Sequence, residues 1–177
     1  MISVVVPTYN EKDNIENLIN EVLKQVNAEI IVVDDDSPDG TSHIVKHLSK
    51  VHKNIRLLRR VGRRGLGSAI VEGFEMASGD IVGVMDADFS HPPALIGRMI
   101  KEFKNGVDLV LGSRYVKGGR IKNWSLTRKL TSKIAVLLAR PLTGVKDPVT
   151  GFFFVRKKIF VDINIRSGET KSWKVSL

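Results

Sequence analysis

Two aspartates separated by one residue stand where an apolar segment of the chain ends. Asp86 and Asp88 follow the run at 80–85, Asp-Ile-Val-Gly-Val-Met, and are followed by Ser90 and His91. Acidic side chains add nothing to the stability of a buried strand and are normally excluded from one. Carboxylates suit hard divalent cations, and Mg²⁺ is often held by one or two of them together with substrate phosphates. The pattern therefore predicts an enzyme that handles a nucleotide.

Two other apolar runs also end in polar residues. The run at 2–6 leads to Tyr9, Asn10 and Glu11, and the run at 29–33 leads to three consecutive aspartates at 34–36. Apolar strands alternate with amphipathic helices along this part of the chain, which is typical of a parallel sheet covered by helices on both faces. Such sheets bind their ligands beyond the carboxyl ends of the strands. We therefore expect the three polar segments to line one crevice.

The spacing of apolar residues predicts the elements that position these segments. Strands are expected at 2–6, 29–33, 55–58, 80–85, 107–111 and 149–155. Helices are expected after an Asn10 cap, across 44–51, from about Leu66 to Ala77, from Pro92, and from Trp124 to Leu138. The fold class is thus α/β, with a mostly parallel central sheet between helices.

Composition and charge exclude several classes of protein. The 177 residues suffice for one domain with a core, and the absence of cysteine excludes disulfides and thiolate metal sites. The apolar runs are too short to span a membrane, and the N-terminus has a strand pattern rather than that of a signal peptide. The net charge is +9, and the stretch from Leu109 to Lys146 contains no acidic residue. This stretch suits phosphates, nucleic acid or an anionic membrane, or it forms a solubilising face.

Six motifs, in a fixed order, resemble those of the family-two inverting glycosyltransferases of GT-A fold. They lie at 5–11, 32–41, 86–93, 112–115, 118–128 and 147–152. Within that family the combination is similar to the dolichyl-phosphate (polyprenyl-phosphate) mannosyltransferases. The resemblance extends from Ile2 to about Lys158, so we expect a catalytic domain at 1–158, followed by an atypical, shortened tail at 159–177.

The resemblance implies the transfer of mannose from GDP-mannose to dolichyl or polyprenyl phosphate, with inversion and with Mg²⁺ or Mn²⁺ as cofactor. It assigns catalytic roles to Asp86, Asp88 and Arg114, and metal binding to Asp88 and Ser90. The residues it assigns to the nucleotide sugar are Pro7, Tyr9, Glu11, Val33, Asp34, Asp36, Asp86, Ala87, Asp88 and Arg114. We assign the acceptor phosphate to Arg114 and Arg128. The segment at 166–171 resembles a shortened diphosphate loop, with Arg166 and Lys171 as its clamp.

We expect the enzyme to be cytoplasmic and peripheral at the cytoplasmic face of the membrane, with its basic stretch in contact with the anionic lipid that surrounds its acceptor. The alternatives are a related transferase using UDP-glucose or another donor, and a nucleotide-sugar-binding protein with impaired catalysis, which could need a partner chain. Nucleic acid is not expected as a partner, because the arginines at 59–64 lack interleaved exposed aromatic residues. His91, which precedes two prolines, is predicted to be a packed loop residue rather than a metal ligand.

Overall fold

The computed structural model describes residues 1–113, 147 and 150–162. Of these, Val161 and Asp162 are described by their backbone alone. The strands are β1 (Ile2–Thr8), β2 (Glu29–Asp34), β3 (Ile55–Arg59), β4 (Ile81–Val84), β5 (Leu109–Leu111) and β6 (Phe153–Arg156). The helices are α1 (Ile15–Gln25), α2 (Thr41–Val51), α3 (Leu66–Met76), α4 (Ile96–Glu102) and α5 (Lys157–Asp162), with 3₁₀ turns at Pro93–Leu95 and Phe103–Asn105.

The six strands form one sheet in the order β3-β2-β1-β4-β6-β5. The first four are parallel to one another, whereas β6 is antiparallel to both of its neighbours, β4 and β5. The predicted fold class, a mostly parallel sheet between helices, is therefore confirmed. The antiparallel strands were not predicted individually, because a strand that is apolar on both faces has the same sequence pattern in either direction.

Alternate residues of the strands point to two separate apolar layers. Val4 and Val6 of β1 face the layer formed with α1, α2 and α4, and Val5 faces the layer formed with α3 and α5. Full burial of such a valine contributes roughly 1.5 to 3 kcal/mol. On the α3 side, a Cβ atom at Gly73 would collide with the side chain of Val5, so α3 lies close against the sheet. Both layers hold the strand ends rigidly in register.

The first helix begins later than the sequence pattern predicts. Asn10 is not its N-cap, since α1 begins at Ile15 and the cap position is Asn14, whose side chain makes no capping hydrogen bond. Asn10 instead adopts a left-handed conformation with φ of 60°, and its backbone N–H donates to Ser37 Oγ at 2.9 Å. The residue therefore joins the loop after β1 to the loop after β2.

Other element boundaries differ by a few residues from the prediction. The strand expected at 107–111 is Leu109–Leu111, and the strand expected at 149–155 is Phe153–Arg156. The helix expected at 124–138 lies outside the described residues. Among the residues that the structure describes, no helix has the length and apolar character needed to cross a membrane.

Candidate functional site

The three polar segments follow β2, β1 and β4, which are neighbouring parallel strands. Their carboxyl ends therefore lie side by side, as the sequence predicts. Each segment contains one residue other than glycine in the left-handed region, namely Asn10, Asp36 and Phe89, with φ of 60°, 58° and 57°. This conformation is uncommon and is enriched at functional sites, especially for a bulky residue such as phenylalanine. Asn and Asp adopt this conformation more readily than other residues, so Phe89, in the loop after β4, is the outlier that points to a candidate site.

The loop after β4 presents two accessible carboxylates. The side chain of Asp86 is 40% exposed, and Asp88 is exposed. The backbone N–H of Ser90 donates to Asp88 Oδ1 at 2.9 Å. Burial acts to raise the pKa of Asp88, but hydrogen bonds from the backbone and side chain of Ser90 and the charge of His91 outweigh it, so the pKa is lowered. Asp88 is therefore an anion at neutral pH and is suited to a cation.

His91 is packed behind this loop, as predicted for it. Its ring is buried and stacks on Phe152, with the ring centroids 5.0 Å apart and an interplanar angle of 10°. The backbone N–H of Asp86 donates to His91 Nδ1 at 3.2 Å. A Cβ atom at Gly151 would lie 3.6 Å from both carboxylate oxygens of Asp86. The start of the β6 segment therefore forms the back wall of the site, a contact that no local sequence pattern indicates.

The loop after β2 uses its first aspartate internally. Asp34 is completely buried, and its carboxylate accepts hydrogen bonds from Thr8 Oγ1 at 2.9 Å and from the backbone N–H of Ser37 at 3.1 Å. The hydroxyls of Ser37 and Ser42 also donate to it, each at 2.5 Å. These four donors come from β1, the loop and α2. Asp34 thus ties three elements together and offers no exposed surface.

The next two aspartates in this loop pair with arginines at the end of β3, Arg59 being its last residue and Arg60 the residue after it. Asp35 is nearly buried, and its Oδ1 accepts from Arg60 Nε at 2.7 Å. Asp36 is partly exposed, and its Oδ1 accepts from Arg59 Nε at 2.8 Å. Of the two aspartates predicted to contact the nucleotide, only Asp36 presents its carboxylate at the surface.

The other residues predicted to bind the nucleotide sugar are divided between surface and core. Pro7 and Glu11 are half-buried, and Tyr9 is 42% exposed at the carboxyl end of β1. Val33 and Ala87 lie in the core and expose almost nothing. The backbone N–H of Glu11 donates to Thr41 Oγ1 at 3.0 Å, so α2 holds this loop in place.

The loop between β3 and α3 is part of the site, although the sequence suggests only a basic cluster. The guanidinium of Arg64 lies over the ring of Tyr9, with Cζ 4.4 Å from the ring centroid. Arg60 is buried beneath the loop and donates to Ser68 Oγ at 2.8 Å and to the Gly65 carbonyl at 3.0 Å. The glycines at 62 and 65, which flank Arg63 and Arg64, are the signal in the sequence that could have indicated a structured loop.

Four predicted residues lie outside the described residues: Arg114, Arg128, Arg166 and Lys171. Their assignments stay predictions. Ser113, the last described residue before the first of them, donates its hydroxyl to Asp147 Oδ2 at 3.2 Å. Strands β4 and β5 are both antiparallel to β6, so they run in the same direction, and the carboxyl end of β5 lies at the end of the sheet that carries Asp86 and Asp88.

The donor atoms of the β4 loop fit a hard divalent cation. Asp86 and Asp88 supply carboxylate oxygens and Ser90 supplies a hydroxyl, which are oxygen ligands of the kind that Mg²⁺ and Mn²⁺ prefer. Within the described part of the chain, no group of three or more His, Cys, Asp or Glu residues could hold a metal ion. Two carboxylates and one hydroxyl are fewer than the six oxygen ligands of an octahedral Mg²⁺, so an ion held by this loop would have positions for phosphate oxygens and water.

Comparisons with known proteins agree with this geometry. The family model described as Glycosyl transferase family 2 matches residues 3–163. A protein of Pyrococcus furiosus named dolichol-phosphate mannosyltransferase is 46% identical over 171 residues, which cover 93% of this chain and 48% of that protein. The Saccharomyces cerevisiae protein of the same name is 36% identical over 182 residues, covering 99% of this chain and 68% of the relative. The chain thus spans about half the length of the first relative and two thirds of the second.

Solved structures share the fold. A mannosyltransferase of Pyrobaculum calidifontis in complex with GDP-Man and Mn²⁺ has a TM-score of 0.64 and 24% identity, with 92% of this chain and 46% of that structure covered. TarS 1–349 of S. aureus in complex with UDP has a TM-score of 0.65 and 24% identity, with 93% and 49% covered. At this level of identity the similarity establishes the architecture.

Proposed function

Because the chain belongs to glycosyl transferase family 2, we propose that it transfers mannose from GDP-mannose to dolichyl or polyprenyl phosphate with inversion. The observation that carries the proposal is the pair of accessible carboxylates, Asp86 and Asp88, at the strand ends beside Tyr9 and Glu11. The name shared by relatives 46% and 36% identical to this chain supports mannose as the sugar and a polyprenyl phosphate as the acceptor.

An acceptor of this kind requires no strong general base. A phosphate monoester is ionised at neutral pH, so its oxygen attacks the anomeric carbon directly, whereas a hydroxyl acceptor must lose a proton. The carbon–oxygen bond to GDP breaks as the new bond forms on the opposite face, which inverts the anomeric centre. The enzyme's task is to align two negatively charged substrates and to stabilise the diphosphate that leaves.

We assign the stabilisation of the diphosphate to the loop after β4 with its metal ion, and the binding of the nucleoside to the loops after β1 and β2. Bound Mg²⁺ or Mn²⁺ would neutralise the leaving diphosphate, and we assign the ion to Asp88 and Ser90, with Asp86 and Ala87 beside the sugar. Pro7, Tyr9, Glu11 and Asp36 form the nucleoside side of the crevice. Val33 and Asp34 support that side from within, since neither is exposed.

Arginines beyond the described residues complete the proposal. Arg114 and Arg128 would bind the acceptor phosphate, because a guanidinium can form two parallel hydrogen bonds to phosphate oxygens. Arg166 and Lys171 would grip the diphosphate. The basic stretch at 109–146 would hold the enzyme against anionic lipid at the cytoplasmic face of the membrane, where the acceptor resides.

Calorimetry followed by an activity assay tests the proposal. GDP-mannose, UDP-glucose and GDP are titrated with Mn²⁺ or Mg²⁺, and a short-chain polyprenyl phosphate is then added and mannosyl lipid measured. We expect metal-dependent binding of GDP-mannose and formation of product. Tighter binding of UDP-glucose contradicts the assigned donor, and binding without product identifies a nucleotide-sugar-binding protein.

A further inference from the structure

We propose that Arg64 contacts the nucleobase of the donor and selects guanine over uracil. This inference rests on the proposed function, because it takes the donor to be a nucleotide bound at the carboxyl ends of β1, β2 and β4. The arginines at 59–64 are a sequence feature that the proposed reaction leaves unexplained. Their arrangement in the structure separates one of them from the others.

The position of Arg64 requires the loop after β3 to cross the binding edge of the sheet. Strand β3 is one of the two edge strands of the sheet, and β2 separates it from β1. Nevertheless, the guanidinium of Arg64 reaches Tyr9, which follows β1, with Cζ 4.4 Å from the ring centroid. The loop therefore extends over the end of β2 and places a planar cation on the nucleoside side of the crevice.

The loop is anchored firmly on both sides of Arg64. The backbone N–H of Arg60 donates to the Asp34 carbonyl at 2.8 Å, and the backbone N–H of Gly65 donates to Asp35 Oδ2 at 2.8 Å. The Arg60 side chain is only 1% exposed and bonds to Asp35, Ser68 and Gly65 from inside the loop. These bonds fix the two ends of a short segment, which limits the positions that Arg64 can occupy.

The other three arginines are engaged with carboxylates. Arg59 pairs with Asp36 at 2.5 Å, Arg60 with Asp35 at 2.6 Å, and Arg63 with Glu72 at 3.1 Å. Among the described residues, no carboxylate lies within 4.0 Å of the Arg64 guanidinium, and Arg64 is exposed. Its N–H groups are therefore accessible to a ligand, while the ring of Tyr9 supports one face of the plane.

The donor geometry of arginine matches one nucleobase better than the other. A guanidinium offers two parallel N–H groups, and the O6 and N7 atoms of guanine accept both of them. Uracil presents one carbonyl oxygen beside a C–H group on the corresponding edge, so only one hydrogen bond forms. Arg64 should therefore strengthen the binding of GDP more than that of UDP.

Calorimetric titration of GDP and UDP in the presence of Mn²⁺ tests this inference on the full chain. We expect Arg64→Ala to weaken GDP binding by about tenfold and UDP binding by less than threefold. Arg64→Lys keeps the positive charge but lacks the two parallel N–H groups, so it should lose most of the preference for GDP. Arg63→Ala is the matched control, because it removes an exposed arginine one position away. It should leave the ratio of the affinities for GDP and UDP unchanged. Thermal midpoints of the variants verify that each is folded.

The outcomes separate this inference from the proposed function. An equal loss for GDP and UDP in Arg64→Ala would place Arg64 at the diphosphate and overturn the inference. Affinities for GDP and UDP that both stay at their wild-type values in Arg64→Ala would overturn it as well. A wild-type chain that binds neither nucleotide contradicts the proposed function together with the inference, whereas normal GDP binding in both wild type and Arg64→Ala contradicts the inference alone.

Discussion

The loops after β2 and β4 both place aspartates at the same edge of the sheet, yet they use them in opposite ways. In the first loop, Asp34 is completely buried and its carboxylate accepts from four donors. In the second, Asp86 is 40% exposed and Asp88 is exposed, with the backbone N–H of Ser90 donating to Asp88. The loop after β2, at 34–37, uses its first aspartate to hold neighbouring elements together, and we call it the closed loop. The loop after β4, at 86–91, presents its aspartates to a ligand, and we call it the open loop.

The difference shows that proximity to the site does not by itself make a carboxylate a ligand. A carboxylate whose oxygens are satisfied by hydroxyls and backbone N–H groups stabilises the loops around it. A carboxylate that is accessible to solvent can bind a cation. Substitutions in the two loops should therefore affect different properties, with activity sensitive to one loop and stability sensitive to the other.

The largest effect is expected from Asp88→Ala in the open loop. Loss of the main proposed metal ligand should reduce mannosyl transfer by at least 10³-fold, equivalent to about 4 kcal/mol of transition-state stabilisation. The urea midpoint should change little, since Asp88 is exposed. Asp13→Ala, an exposed aspartate beyond β1, is the control and should retain activity. Comparable rates in Asp88→Ala and wild type would exclude this residue as the metal ligand.

Asp34→Ala should produce the converse result in the closed loop. Removal of the carboxylate leaves donors from Thr8, Ser37 and Ser42 without their acceptor, which should lower the free energy of unfolding by about 2 to 4 kcal/mol. Urea denaturation followed by circular dichroism measures this change. A stability equal to that of wild type would mean that the buried hydrogen bonds contribute nothing net.

Glu29 lies at the amino end of β2, away from the candidate site, and it extends the comparison to the dependence of stability on pH. Burial acts to raise its pKa, but hydrogen bonds from Ser3, Ser78 and Arg56 outweigh burial and lower the pKa below its usual value of 4.5. Because the folded state has the lower pKa, the stabilising effect is complete above the unfolded pKa and is lost as the pH falls through the folded value. We expect the stability of wild type to decline below about pH 4.5.

The variant Glu29→Gln isolates this contribution. Its unfolding free energy should be lower than that of wild type at pH 7 and should depend less on pH in the acidic range. Urea midpoints measured from pH 7 down to pH 3 provide the test. Parallel pH profiles for the two proteins would show that another group controls acid unfolding.

The smallest effect is expected from Asp36→Gly, at the rim of the closed loop. Glycine relieves the left-handed conformation at φ of 58° but loses the exposed ion pair with Arg59, and these contributions oppose each other. We expect a change in stability of less than about 1 kcal/mol, measured by thermal unfolding. A loss as large as that of Asp34→Ala would remove the distinction between the buried and exposed aspartates of this loop.

Much of the fold follows from patterns that are local in sequence. Apolar runs that end in Tyr9, Asp34 and Asp86 predict strands whose carboxyl ends meet, and the structure places them on adjacent strands. The direction of β6 could not be predicted, because an apolar strand has the same sequence pattern whether it runs parallel or antiparallel to its neighbours. The pairing of β6 with β4 joins residues about 70 positions apart, which no local pattern encodes.

The candidate site was predictable by residue type but not by role. Three consecutive aspartates at 34–36 are equivalent in the sequence. Only the packed structure reveals that the hydroxyls of Thr8 and Ser42 donate hydrogen bonds to the carboxylate of Asp34. Arg64 was indistinguishable from its neighbours for a related reason. Arg64 differs from them because the other three arginines form ion pairs with carboxylates. Those carboxylates lie in two other segments of the chain, the loop after β2 and α3.

The place of β6 between β4 and β5 has a consequence for the order in which the molecule assembles. Strands β1, β2 and β3 can pair as soon as the first 60 or so residues have left the ribosome, and β4 can then add to β1. The other edge of β4 stays unpaired until Phe153–Arg156 has been synthesised and has closed a long chain loop. The wall behind Asp86, which includes Gly151, forms only at that step, so the loops after β1 and β2 can be complete before the loop after β4 gains its wall.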